Sequence, residues 1–231
     1  MPKPGGLKDL FGKLFRPHPW HGLDPGPRSP EMVQAFIEIV PTDTVKYEID
    51  KRSGYLTIDR PQRYSNLCPS LYGFIPRTLC ADRVAALCRE RMASATIVGD
   101  GDPLDICVLA EHPLNHGDVL LRAIPIGGFR MIDKNEADDK IVAVLEGDAV
   151  YGAFRELTEV PVALIDRLKH YFLTYKLGPD QTDHIVTIPQ TYDRAEAHEV
   201  IRRSRDDYDQ EFGDVPGEFV RQIEARLRGR A

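Results

Sequence analysis

Between residues 33 and 146 the chain is a succession of short apolar runs, each closed by Gly, Pro, Asn or Asp. That spacing leaves few folds open. Val45, Tyr47 and Ile49 alternate with Lys46, Glu48 and Asp50, the pattern of a strand with one buried face. Lys51-Arg52-Ser53-Gly54 supplies a hairpin loop ending in a glycine, and Tyr55 to Arg60 is the return strand. Further strand-like runs fall at 105–110, 118–126 and 139–145. Strands this short and this regularly punctuated predict a small closed β-barrel rather than an open parallel sheet.

Helical patterns surround this region. Ala81 to Ala93 reads as a helical excursion within it. Pro161 to Lys176 carries apolar residues at 162, 164, 165, 168, 171 and 172 behind a proline start. A second helix is expected from Asp193, its N-cap, to about Phe212, and a final short one after Pro216. The expected architecture is α+β: a barrel with helices added mainly at the carboxyl end. Residues 1–32 are set apart as an N-terminal strap. Within them Leu7, Leu10, Phe11, Leu14 and Phe15 follow helical spacing, and a Pro- and Gly-rich lead-in follows. That stripe suits a strap packed on its own domain or an oligomer mate, or a surface touching a membrane. The remaining boundaries are a catalytic domain over 33–212, with the helical insertion at about 79–99, and a C-terminal helical extension over 213–231.

Composition narrows the chemistry. The 231 residues carry a formal net charge of −6, which argues against a general nucleic-acid binder. An acidic protein that handles phosphate has to gather positive charge locally or recruit metal cations. Cys68, Cys80, Cys88 and Cys107 form no Cys-x-x-Cys pair, so neither a zinc ribbon nor a dithiol redox site is indicated. No long apolar stretch follows the amino terminus and none approaches the roughly 20 residues that span a bilayer. A cytoplasmic protein with reduced thiols and no stable membrane association is the expectation.

The densest chemistry lies in Asp100-Gly101-Asp102-Pro103-Leu104-Asp105. On a regular strand Asp105 would face away from Asp100 and Asp102, but Gly101 and Pro103 permit a turn that gathers all three. Carboxylates packed this closely repel unless cations neutralise them, and oxygen ligands suit hard ions such as magnesium. Taken alone, the string also reads as a solvated acidic turn or a structural calcium loop, although the EF-hand pattern is absent. A second acidic group, Asp133, Glu136, Asp138 and Asp139, precedes Lys140, whose side chain shares a face with Asp138 if the strand has begun there. Lys46 and Glu48 share the polar face of the hairpin strand. Arg60 has the parity of Leu56 and Ile58, an apolar side where an arginine is costly unless it reaches the barrel mouth and meets an anion. Tyr72-Gly73 and Tyr175-Lys176 place phenols beside element boundaries. Carboxylates, ammonium groups and phenols together suit a metal-bound polyphosphate.

These residues resemble, in kind and order, those of family I soluble inorganic pyrophosphatases: Glu38-Ile39, Lys46 to Lys51, Asp59-Arg60, Tyr72-Gly73, Asp100 to Asp105, Asp133…Asp138-Asp139-Lys140 and Tyr175-Lys176. The resemblance covers roughly residues 33 to 210. It implies an OB-like five-stranded β-barrel flanked by helices, several magnesium ions per site, and hydrolysis of inorganic pyrophosphate to two phosphates by a metal-activated water. It further implies that Asp100, Asp105, Asp133 and Asp138 hold the metals and that Asp102 is the general base. Lys46, Arg60, Lys140, Tyr175 and Lys176 would bind phosphate oxygens, with Tyr72 near the attacking water. Glu38 and Glu48 would order metal-bound waters. A homo-oligomer is implied as well. The chain departs from the common bacterial pattern at Cys68, where many relatives carry a tyrosine, and in the longer stretch from Leu79 to Gly99. A tuning role for Cys68 would make Cys68→Tyr change activity modestly. Three rivals remain: an OB-fold module for single-stranded nucleic acid, a hydrolase for another phosphoanhydride, and an inactive homologue with a structural or regulatory role, against which the full acidic set argues. Lining by aspartates argues against the first and the missing Walker loop against the second.

Overall fold

The computed structural model describes residues 15–178, 180 and 185–228. Of the amphipathic N-terminal stripe, Leu7, Leu10, Phe11 and Leu14 lie outside these residues, and Phe15 is 64% exposed.

Five strands close a ring. β1 (Val33–Ile39) pairs antiparallel with a strand at Leu71–Phe74. With the hairpin strands β2 (Val45–Ile49) and β3 (Leu56–Pro61) intervening in sequence, that partner is β4. β4 pairs antiparallel with β6 (Asp105–Leu109), and β6 runs parallel to β9 (Lys140–Leu145). β9 pairs with β7 (Val119–Asp133), and the first residues of β7 return to β1, from Val33 opposite Ala123 to Ile37 opposite Val119. The expected OB-like barrel is therefore present, flanked by helices mostly in the carboxyl half. The β2–β3 hairpin forms as expected but is its own two-stranded sheet outside the ring.

β7 is longer than its sequence suggests. The expected run stops at residue 126 because Gly127-Gly128 reads as a turn; the strand instead continues to Asp133, pairing with β8 (Glu136–Ala137) and β10 (Val186–Asp193). The short β5 (Val98–Gly99) joins the sheet through β8. Gly128 marks a close approach rather than a reversal: a Cβ there would sit 2.4 Å from the Tyr192 ring.

Both faces of the ring strands are covered. On one side Val33, Ala35, Ile37, Ile106 and Ile141 pack against α1 (Asp82–Met92) and a long helix at Arg194–Phe212. On the other, Cys107, Phe129, Met131, Val142 and Val144 meet α2 (Val162–Thr174) through Ile165, Leu168, Tyr171 and Phe172. The long helix is α3, and its N-cap is Asp193, which accepts a hydrogen bond from the Glu196 amide at 2.9 Å. α1 has no cap of its own. The buried carboxylate of Asp207 on α3 accepts instead from the amides of Ala81, Arg83 and Val84 at 3.0–3.1 Å. The last helix, α4 (Val215–Arg228), begins before Pro216 and runs for 14 residues, so the short terminal helix expected after Pro216 is corrected in start and length. Proline fits a first helical turn, where its missing N–H leaves no bond unmade.

The lead-in is anchored rather than loose. Trp20 is buried and its indole N–H donates to the Thr78 carbonyl at 2.7 Å. His21 stacks on Trp20 and shares a 2.8 Å hydrogen bond with the Tyr208 hydroxyl. Burial lowers the His21 pKa to about 4, helped by the nearby charges of His18 and Arg77. The folded value lies below the unfolded one, so the contribution is complete above about pH 6.5 and is lost as pH falls towards 4. Thermal unfolding of the wild type is expected to lose more stability between pH 7 and pH 4 than that of His21→Gln; parallel losses would refute the assignment.

Candidate active site

Strand register assembles the centre of the site. Parallel pairing of β6 with β9 sets Asp105 abreast of Lys140, and β4 sets Tyr72 opposite Cys107, two positions along from Asp105 and so on the same face. Lys140 is almost fully buried, and its ammonium contacts both Asp105 and Asp138. The Tyr72 hydroxyl donates to Asp105 at 2.6 Å. Burial lowers the affinity of Lys140 for its proton, but Asp105 and Asp138 outweigh it and hold the pKa well above that of a free lysine. Burial, followed by the fields of Asp105 and Asp138, keeps the Tyr72 phenol protonated far above its ordinary range.

The acidic turn behaves as its glycine suggests. Gly101 has φ +74°, open space where a Cβ would be, and an amide bonded to the Cys80 carbonyl, so backbone conformation rather than room requires glycine. The turn lets the Asp102 amide donate to Asp100 at 2.9 Å and brings Asp100, Asp102 and Asp105 to one cleft. Burial, then the negative charge of Asp138, pushes Asp100 up to about 9. Asp138 is raised as well, chiefly by burial.

The cleft measures about 240 Å³, and every candidate from the sequence lines it. From the hairpin come Lys46, Glu48 and Arg60; Lys46 pairs with Glu48 at 2.9 Å and with Asp59 at 3.1 Å. From the end of α2 come Tyr175 and Lys176, with Lys176 contacting Asp133. Glu38 is buried beneath them, its carboxylate accepting from the Ile49 amide at 2.8 Å, and burial raises it to about 8. The parity argument for Arg60 is corrected. A bulge pairs Lys46 with Arg60 but Tyr47 with Ile58, so Asp59 is the extra residue and Arg60 no longer shares a face with Ile58. Ile58 is 64% exposed, and Arg60 contacts Asp59 and lies 5.7 Å over the Tyr175 ring.

Three participants fall in the clusters named from the sequence but have no role assigned to them there. Lys51, in the hairpin loop, contacts Asp102; Asp59 is aimed by the bulge; Glu136 lines the cleft from β8. Each depends on tertiary placement, although all three belong to charged clusters visible in the sequence.

Among the described residues no three His, Cys, Asp or Glu side chains converge as a ready-made metal cage. Ammonium groups stand between the carboxylates instead: Lys140 between Asp105 and Asp138, and Lys176 on Asp133. The residues nevertheless fit magnesium. The set is all oxygen, Asp133 Oδ1 is buried without a hydrogen-bond partner among the described residues, and burial raises both Asp100 and Asp138, a cost that a divalent cation would offset. Magnesium usually takes only one or two carboxylates beside water and phosphate oxygens, so a closed cage is not required.

The profile of the family described as inorganic pyrophosphatase matches residues 35–209. The chain belongs to the inorganic pyrophosphatase family. An inorganic pyrophosphatase of Chlamydia muridarum is 46% identical over 195 residues, 83% of this chain and 93% of that one. A soluble inorganic pyrophosphatase of Oryza sativa subsp. japonica is 35% identical over 202 residues, 87% of this chain and 84% of the other. The crystal structure of the inorganic pyrophosphatase from Thermus thermophilus matches with a TM-score of 0.69 at 29% identity, covering 83% of this chain and 99% of its own. Among the described residues no helix is long and apolar enough to cross a membrane.

Cys68 lies behind this family site rather than in it. It is fully buried beside Cys107 and Tyr72 in the α2-side core, its thiol donating to the Ser70 carbonyl at 3.4 Å. Burial pushes the thiol up to about 11, so it is inert. Cys68→Tyr therefore forces a larger ring into filled space and is expected to cost about 1–3 kcal/mol through overpacking, measured by denaturant unfolding. An unchanged unfolding midpoint would show that the core has room for the ring.

Proposed function

We propose that the chain hydrolyses inorganic pyrophosphate to two phosphates with magnesium held by Asp100, Asp105, Asp133 and Asp138. The observation that carries this reading is a single small cleft in which those carboxylates face the phosphate-binding candidates Lys46, Arg60, Lys140, Tyr175 and Lys176. Its volume of about 240 Å³ suits a compact inorganic anion with its counterions better than a nucleoside triphosphate. The carboxylate lining also favours it over a nucleic-acid groove.

Each residue has a defined task in this reading. Bound magnesium supplies positive charge to the phosphate oxygens and makes water more acidic. Lys46 and Arg60, on the hairpin, and Lys176, beyond α2, bind substrate oxygens. Lys140 neutralises charge at the centre, where burial strengthens its effect. Asp102 has a side chain 43% exposed to the solvent that provides the attacking water, and accepts its proton. Tyr72, held protonated, donates from its hydroxyl. Glu38 and Glu48 order waters behind the ligands. Phosphoryl transfer is governed mainly by positioning and neutralisation, which these tasks supply.

Phosphate release from pyrophosphate is expected to require magnesium and to fall at least about a hundredfold in Asp105→Asn, since the change removes a charged partner at the centre of the site. Equal rates in the variant and the wild type would remove Asp105 from the metal site. Release unaffected by chelation would remove magnesium.

A further inference from the structure

A second charge cluster stands directly behind the cleft and has no role in the reaction as described. Arg130, on the extended half of β7, is completely buried. The alternation of the strand sends Phe129 and Met131 into the α2-side core and turns Arg130 the other way, towards α1 and α3. Its guanidinium donates to Glu196 of α3 at 2.7 Å and to the Leu87 carbonyl of α1 at 3.4 Å, and lies 5.3 Å over the Tyr192 ring. It also pairs with Asp139 at 3.7 Å, whose carboxylate is 1% exposed and has no hydrogen-bond donor. Glu196 is gripped from its other side by Arg91 of α1 through two bonds of 2.9 Å.

Asp139 is the residue between Asp138 and Lys140. Those two point into the cleft, while Asp139 points away from it into this cluster. Among the described residues Arg130 is the one cation within ion-pair distance of Asp139, and a buried carboxylate is held at such a partner because leaving it unpaired is costly. Fixing Asp139 therefore fixes the backbone that aims its neighbours. The planar fork of arginine can face several partners at once, which a lysine ammonium on a flexible stem does not reproduce.

We propose that Arg130 is a positioning residue for the reaction: it clamps Asp139 and so sets the placement of Asp138 and Lys140, with Glu196 and Arg91 tying the clamp to α1 and α3. This rests on the reading above in which Asp138 and Lys140 serve pyrophosphate hydrolysis. The chain thereby couples the helix at Asp82–Met92 to the reacting centre through ion pairs rather than through contact with substrate.

Arg130→Lys tests it, because charge is kept and only the fork is lost. With the variant verified as folded, kcat/KM for pyrophosphate is expected to fall about tenfold, as for a misplaced binding group. Hydrogen exchange at the Asp138 and Lys140 amides is expected to quicken more than exchange elsewhere in β9. A lowered Tm with kcat/KM unchanged and uniform exchange would overturn the clamp and leave a structural arginine. In an Asp138→Asn background the Arg130→Lys effect is expected to shrink to within about twofold, since both changes act on one unit; full additivity would overturn it. If Arg130→Lys does not fold, Arg91→Met at the surface end is expected to lower kcat/KM about threefold, and no change there overturns the proposal. Wild-type protein without pyrophosphate turnover refutes the underlying reading. Turnover abolished by Lys140→Met but untouched by Arg130→Lys refutes only the clamp.

Discussion

The pairing of Asp105 with a buried Lys140 is the constraint on which the site depends. It exists because β6 and β9 run parallel and in register, a relation that requires the intervening chain to cross back through β7. Parallel neighbours point their opposed residues to the same side, so a carboxylate and an ammonium meet at one end of the ring. Once they are fixed there, Tyr72 and Asp138 find partners on them, and the acidic turn at Asp100–Asp105 closes over the same point. A one-residue slip of β9 would carry Lys140 to the opposite face and leave the carboxylates mutually repelling.

Much of this was readable in the residues. The hairpin at Val45–Pro61, the helices around 82–92 and 162–174, and Asp193 as cap of the long helix all follow from local pattern. The sequence candidates for the site all line one cleft, the acidic and basic ones lying in charged clusters that local pattern makes visible. What stayed hidden was set by distant partners. Gly127-Gly128 looks like a turn until Tyr192, more than sixty positions away, is seen to need the space. The bulge at Asp59 re-aims Arg60, and no alternation rule shows where a strand takes an extra residue. α1 begins without a capping side chain of its own because Asp207 provides one from another helix. By resemblance Cys68 stands where many relatives carry a tyrosine, and only the structure shows that it is buried in the core behind the cleft.

Opposite charge demands shaped the two sides of the Asp138–Lys140 segment. Towards the cleft, ammonium groups and carboxylates interleave, so either sign can be displaced by an incoming ion. Away from it, Arg130 and Asp139 are sealed from water, where no ion can substitute for either. Exchangeable charge on one side is thus backed by fixed charge on the other, which is what a site needs if its geometry is to outlast each turnover.

The 15 residues of β7 link these regions in a further way. Its first half closes the ring against β1, and its second half carries Arg130 and Asp133 between β9, β10 and β8. One uninterrupted strand therefore belongs to the barrel and to the wall of the cleft. The part of the cleft wall on β7 cannot loosen as a separate unit without withdrawing a ring strand from its neighbours, so that wall opens only when the ring does. The β2–β3 hairpin, by contrast, reaches the cleft with no described ladder joining it to the ring, so its place is set by side chains, through Ile49 and Leu56 packed with Trp20, Phe36 and Phe74.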